Sequence, residues 1–114
     1  MAGKPEVQEV TQNQKSLPEN FPTDFPLYRQ ATFKEAWSTG KAESGGISVI
    51  WETSDAPPKV AVFYKDELVK KNWKINSSFN NSGSFVISFE KGGTSGFVGI
   101  SQNGKTIISV TLGW

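Results

Sequence analysis

The chain has 114 residues, with twelve Lys and Arg against eleven Asp and Glu, a formal charge of +1, and neither histidine nor cysteine. At roughly 100 to 200 residues per domain, this is one domain. The charge balance leaves no electrostatic footprint for a nucleic-acid backbone, and the composition excludes disulfides, Cys/His zinc sites, thiol nucleophiles and histidine-based acid–base chemistry.

Residues 1–16 contain only Val7 and Val10 as large apolar groups beyond Met1. Too little apolar surface is present to offset the entropy of ordering the segment, which predicts a flexible tether. Met1-Ala2-Gly3 is compatible with a start added for expression, and an export signal removed upstream is compatible with the rest. No run of about 18 apolar residues occurs, so no membrane insertion is expected of this chain.

Residues 17–114 read as a single domain that begins with a Pro-rich strap over 17–30. Pro18, Pro22 and Pro26 recur every fourth residue between Leu17, Phe21, Phe25, Leu27 and Tyr28. Proline fixes its own φ and pushes the preceding residue to extended geometry. An irregular strap lying on a core, with aromatic pegs, follows.

Beyond it the period is two. Phe33, Glu35 and Trp37 alternate with Thr32, Lys34 and Ala36, and Ile47, Val49 and Trp51 alternate with Ser48, Ile50 and Glu52. The glycine-rich stretch 40–46 joins the two strands as a hairpin.

Ser54-Asp55-Ala56-Pro57-Pro58 predicts a helix start, with Ser or Asp capping the first amides and proline tolerated in the first turn. At 100° per residue, Val60, Ala61, Tyr64 and Leu68 share one arc with Phe63 at its flank, which predicts the buried face. Glu67 and Lys71 have the i,i+4 spacing of a pair at its margin. Lys70 and Lys71 suit the negative end of the helix dipole, and Asn72 suits a left-handed cap, so the helix should end at Lys71 or Asn72.

Four further strands are predicted, over 73–79, 84–90, 95–101 and 105–112, punctuated by Asn80-Asn81-Ser82-Gly83, Gly92-Gly93 and Asn103-Gly104. Tight turns make neighbours antiparallel, and Asn-Gly is a strong signal for a two-residue hairpin loop. Phe85, Ile87 and Phe89 share one face and Ile108, Val110 and Leu112 another, against polar Ser84, Ser88, Glu90, Ser109 and Thr111. The expected fold class is α+β, a two-layer arrangement of one helix packed on an antiparallel sheet in the order ββαββββ.

Residues 99–106 satisfy the phosphate-loop expression G-x-x-x-x-G-K-[ST], but the residues after Lys105 are β-branched and no βαβ unit surrounds them. A hairpin turn is expected there instead. Gly93, Gly96 and Gly99 are expected to let the chain bend or another backbone approach. The carboxylates Glu35, Glu52, Asp66, Glu67 and Glu90 read as solvated surface charge, because no pair is evidently held in an apolar setting that would split its pKa values. They form neither a calcium-type loop nor another dense oxygen cluster. No catalytic residue, metal or cofactor is expected. The Asn76 and Asn80 sequons reflect a composition rich in Asn and Ser.

Of the tryptophans, Trp51 shares a face with Ile47 and Val49 and reads as core, while Trp73 follows the helix and should pack its end against the sheet. Trp37, Ile50, Val86 and Trp114 are the candidate partner-contact residues, forming a second apolar patch on the open sheet face. Val62 and Val69 do the same on the outer helix.

Leu17-Pro18-Glu19, then Asp24-Phe25-Pro26-Leu27-Tyr28 and Ala31, then Trp51-Glu52-Thr53-Ser54-Asp55, and finally Phe63-Tyr64-Lys65-x-x-Leu68 with Asn72-Trp73 form a recurring pattern. It resembles small extracytoplasmic domains of bacterial lipoproteins and other exported proteins of unassigned function. Asn72 stands where that pattern usually has Gly, and the lipid-bearing Cys is absent. The resemblance implies export, a tether and no known catalysis.

The function expected is therefore that of a non-catalytic binding or accessory domain of an exported bacterial protein, tethered or secreted. It would meet an unknown protein or envelope component, or a second copy as a weak homodimer through the open sheet face, with no nucleic acid involved. Two alternatives stand beside it. One is a small carboxylate enzyme with a cleft between strap and sheet. The other is a sugar or single-stranded nucleic-acid binder using exposed aromatics.

Overall fold

A computed structural model describes residues 17–18, 21–40 and 44–114. The tether expected over 1–16, Glu19 of the motif and the middle of the first hairpin loop lie outside the described residues.

Six strands and one helix follow in the order ββαββββ: β1 Thr32–Gly40, β2 Gly45–Thr53, α1 Pro57–Lys70, β3 Lys74–Asn81, β4 Ser84–Lys91, β5 Thr94–Asn103 and β6 Lys105–Gly113. They form one antiparallel sheet with the spatial order β1-β2-β6-β5-β4-β3. The last strand thus lies inside the sheet, between the first hairpin and the meander β3 to β5. Helix α1 carries the chain from β2 to the far edge at β3 and covers one face. The arrangement is the α+β fold of one helix on an antiparallel sheet, and residues 105–113 are a strand and not the helix that a phosphate loop needs.

The buried helix face is Pro57, Val60, Ala61, Tyr64 and Leu68, the arc its spacing predicts. Opposite it stand Ile47, Val49 and Trp51 of β2, Ile87 and Phe89 of β4, Val98 and Ile100 of β5, and Ile108, Val110 and Leu112 of β6, all buried. Phe21, Phe25 and Tyr28 of the strap are buried pegs in the same cluster. Phe25 meets Phe21, Trp73 and Phe89 with ring centroids 5.6, 5.7 and 5.3 Å apart, largely edge-on. Such contacts contribute about 0.5–1.5 kcal/mol each beyond the area they bury.

Both helix ends follow from local chemistry, but only one as expected. At the C-terminus Asn72 takes φ +68°, its N–H donates to the Val69 carbonyl at 3.0 Å and the Trp73 N–H to the Leu68 carbonyl at 2.8 Å. This crossed pair is a Schellman cap. At the N-terminus neither Ser54 nor Asp55 caps: the N-cap is Ala56, with no side-chain hydrogen bond. Prolines at the first two helical positions remove two of the amides a cap would satisfy. Asp55 is used elsewhere. Glu67 pairs with Lys70 at 3.3 Å and not with Lys71.

The alternation expected in β1 is also corrected. A bulge at Lys34 shifts the register between Phe33, opposite Trp51, and Glu35, opposite Ile50. One extra residue moves everything after it to the other face. Phe33 therefore packs on the core, Ala36 is fully buried, and Trp37 lies opposite Ser48 on the open side. The β5–β6 loop differs as well: the register runs on to Asn103 opposite Lys105, leaving Gly104 alone at the tip, φ +75°. Thr106 must face inward there, where its hydroxyl donates to the Asp55 carbonyl at 2.6 Å.

Gly96 lies opposite Leu112, and a Cβ on it would stand 1.9 Å from the Thr111 carbonyl oxygen. The backbone approach expected of the glycine triplet is located at this residue.

Candidate functional site

The strap and the helix do not close on each other completely. Between them lies an open groove of about 440 Å³, lined by Phe25, Pro26, Leu27, Arg29 and Gln30 of the strap and by Phe63, Glu67 and Lys71 at the helix. Its placement follows from two local features. Pro22 opens a turn closed by the Phe25 N–H on the Pro22 carbonyl at 3.3 Å, and Phe25 and Tyr28 are buried while Leu27 stays 45% exposed. Phe63 sits at the flank of the buried arc and packs edge-on against Tyr28 and Tyr64, both at 5.0 Å, which leaves it half-buried in the groove wall.

Hydrogen bonds fix the strap at both ends of the groove. At one end the Tyr28 hydroxyl donates to Asp55 Oδ2 at 2.5 Å, and Lys59 Nζ stands 3.7 Å from the same oxygen. Burial, then the hydrogen bond to Asp55 and its negative charge, push the Tyr28 hydroxyl up to about 12. At the other end the Trp73 indole N–H donates to the Asp24 carbonyl at 3.3 Å. Lys91 pairs with the Asp24 carboxylate, donates to the Lys71 carbonyl at 2.9 Å and lies 5.7 Å over the Trp73 ring. The rim is electrostatically uneven. Arg29 and Lys71 are exposed and have no carboxylate partner among the described residues, whereas Glu67 is held by Lys70.

The four candidate partner-contact residues are not brought to one place. Trp37 and Ile50 are diagonal neighbours on the open face. Val86 shares a cross-strand row with Ile50, but Ser109 and Gly99 separate them, three strand spacings or about 14 Å apart. Trp114 does not share that face: it packs against the core cluster, and its backbone exchanges two hydrogen bonds with Gly45, at 3.1 and 3.2 Å. Val86 instead has Phe79 opposite it and Phe97 diagonally beside it, and these three are 39%, 63% and 44% exposed. Trp51 and Trp73 are buried, so neither belongs to a stacking platform.

The strap–helix groove was missed in the sequence. Arg29, Gln30 and Leu27 adjoin the Pro-rich pattern and Glu67 and Lys71 flank the helix arc, but nothing in the spacing says that the two segments meet. Among the described residues the groove is lined by one carboxylate, Glu67, where hydrolysis between paired acids would use two. Among the described residues no three His, Cys, Asp or Glu side chains gather where a metal ion could sit.

A family model described as START domain-like matches residues 30–106. The match spans more than half of the chain, and the chain belongs to that family. Membership points to a ligand-binding domain, in keeping with a binding module. No curated protein and no solved structure matched the chain. The matched stretch takes in the helix wall of the groove and Gln30, and stops short of Phe25 to Arg29 on the strap side.

Proposed function

From membership of a START domain-like, ligand-binding family, we propose that this chain is a non-catalytic binding module of an exported bacterial protein, taking its ligand in the strap–helix groove. The observation that carries the reading is the groove itself: about 440 Å³, within the roughly 300–1,000 Å³ of small-molecule sites. Its lining divides evenly between apolar Phe25, Pro26, Leu27 and Phe63 and polar Arg29, Gln30, Glu67 and Lys71. The space between helix and sheet is occupied by Tyr64, Leu68, Phe89 and Trp73, all buried, which directs a ligand to the outside of the helix.

Export and tethering rest on the motif set of strap, helix and Asn72-Trp73, which resembles exported lipoprotein domains. In that setting residues 1–16 hold the module near an envelope surface. Two measurements test the reading. In amide NMR spectra of the labelled protein titrated with a panel of small amphiphiles, the shifted resonances should be those of Leu27, Arg29, Gln30, Phe63, Glu67 and Lys71. Shifts confined to Trp37, Ile50 and Val86 would move the site to the open sheet face. Fractionation of cells carrying the gene with its natural upstream sequence should place the protein outside the cytoplasm, and recovery with cytosolic markers would overturn export.

A further inference from the structure

We infer that the strap–helix groove selects a small, single-chain anionic amphiphile, its carboxylate or phosphate held between Arg29 and Lys71 and its apolar part laid on Leu27 and Phe63. The inference rests on the groove being the ligand site.

Charge complementarity carries it. Lys34, Lys59, Lys70 and Lys91 each stand within 4 Å of a carboxylate. Among the described residues Lys65, Lys74 and Lys105 do not and lie outside the groove lining, and Arg29 and Lys71 are the two cations that line it. Arg29 and Lys71 have no such partner among the described residues, and they reach the same groove from separate elements, one from the strap and one from the helix C-cap. The one acid in the lining among the described residues, Glu67, already has Lys70 at 3.3 Å. The rim is therefore positive and its cations are uncommitted.

A helix C-terminus would ordinarily repel an anion, because its free carbonyls carry the negative end of the dipole. Here four carbonyls at that end already have donors. The carbonyls of Glu67, Leu68 and Val69 accept from the amides of Lys71, Trp73 and Asn72, and the Lys71 carbonyl accepts from Lys91 Nζ. The Lys71 side chain lines the groove beside Glu67.

Size sets the rest. A groove of about 440 Å³ that is open to solvent lies at the low end of small-molecule sites, enough for one chain and a head group. Leu27, 45% exposed beside half-buried Phe63, gives that chain an apolar surface to cover.

The test uses the whole chain and three ten-carbon probes below their aggregation limits: decanoate, decanol and decyltrimethylammonium, each titrated by amide NMR. Decanoate should shift Leu27, Arg29, Phe63 and Lys71 saturably, weaken in 0.5 M salt, and bind at least tenfold more tightly than decyltrimethylammonium. The double variant Arg29→Gln, Lys71→Gln should lose about tenfold in decanoate affinity, the modest effect of removing two exposed ion pairs. Its thermal midpoint should stay unchanged, since both side chains are exposed. Equal binding of all three probes in the groove would overturn the anionic selectivity and leave the groove as a ligand site. If no probe shifts the groove, the site itself is overturned. Sedimentation with phosphatidylglycerol vesicles in the absence of decanoate binding would assign the two cations to a lipid surface and overturn a free ligand.

Discussion

The Tyr28 hydroxyl donates to the Asp55 carboxylate at 2.5 Å across 27 residues of chain, joining the strap to the turn that starts the helix. Asp55 is anchored in its turn: its N–H donates to Thr53 Oγ1 at 3.2 Å and its carbonyl accepts from Thr106 Oγ1 at 2.6 Å. Strap, β2, β6 and helix start thereby meet at one residue.

Tyr28→Phe should cost about 1–2 kcal/mol, the range of a partly shielded hydrogen bond to a charged group. Urea unfolding would measure it. The pH dependence is a second readout. Burial and Asp55 raise the Tyr28 hydroxyl from 10 to about 12 in the folded chain, so the folded state holds this proton more tightly. The contribution is complete below pH 10 and is lost as pH rises through 12. The fall in stability over that window should be shallower in Tyr28→Phe; identical slopes would show that the bond does not form in solution.

Tyr64 presents the opposite case. It is fully buried, its hydroxyl has no hydrogen-bond partner among the described residues, and burial raises its ionisation well above the ordinary phenol range. The Tyr28 backbone is near enough to act on it electrically without making a bond of ordinary geometry. Leaving a buried hydroxyl unpaired costs roughly 1–3 kcal/mol. Tyr64→Phe should then be neutral or raise stability by about 1 kcal/mol. A loss above 1 kcal/mol in calorimetry would mean that the hydroxyl is bonded.

Two glycines of β5 separate close approach from mere sequence. Gly96→Ala would put a methyl group 1.9 Å from the Thr111 carbonyl oxygen, whereas at Gly99 the nearest atom is 3.9 Å away. Gly96→Ala should destabilise by about 2–3 kcal/mol or more, in the upper range of overpacking, and Gly99→Ala by less than about 0.5 kcal/mol. Equal effects would mean that the β5–β6 pair yields readily.

At the helix end, Asn72 holds φ +68°. Asn72→Gly should stabilise by a few tenths to about 1 kcal/mol, and Asn72→Ala should cost about 1 kcal/mol, since a Cβ is disfavoured in the left-handed region. Thermal melts of the two variants in the opposite order would remove the Schellman cap from the account.

Most of this fold was legible because its signals are local. The arc Val60, Ala61, Tyr64, Leu68 and the alternation Ile108, Val110, Leu112 are fixed by backbone geometry before any partner is chosen. The errors fall where a partner decides. The bulge at Lys34 exists only in relation to β2, and it exchanged the faces of Ala36 and Trp37. Asp55 has a good capping side chain, but Tyr28 engages it from 27 residues away. Trp114 is the exception: it continues the alternation of Ile108, Val110 and Leu112, so its core side was readable from that spacing, and the continuation of β6 beside Gly45 puts it there. The groove belongs with the bulge and Asp55, since Arg29 and Lys71 become neighbours of one cavity only through the pegs Phe25 and Tyr28.

The strand order has a consequence for how the molecule comes to exist. The seam between β2 and β5 is filled by β6, the last of these six strands to be synthesised. Until it arrives the first hairpin and the later meander are two half-sheets with raw facing edges. Such long-range closure is slow and leaves the waiting pieces prone to stick to one another. A nascent copy halted before Lys105 should therefore be a client for holding chaperones, even though five of its six strands have already been made.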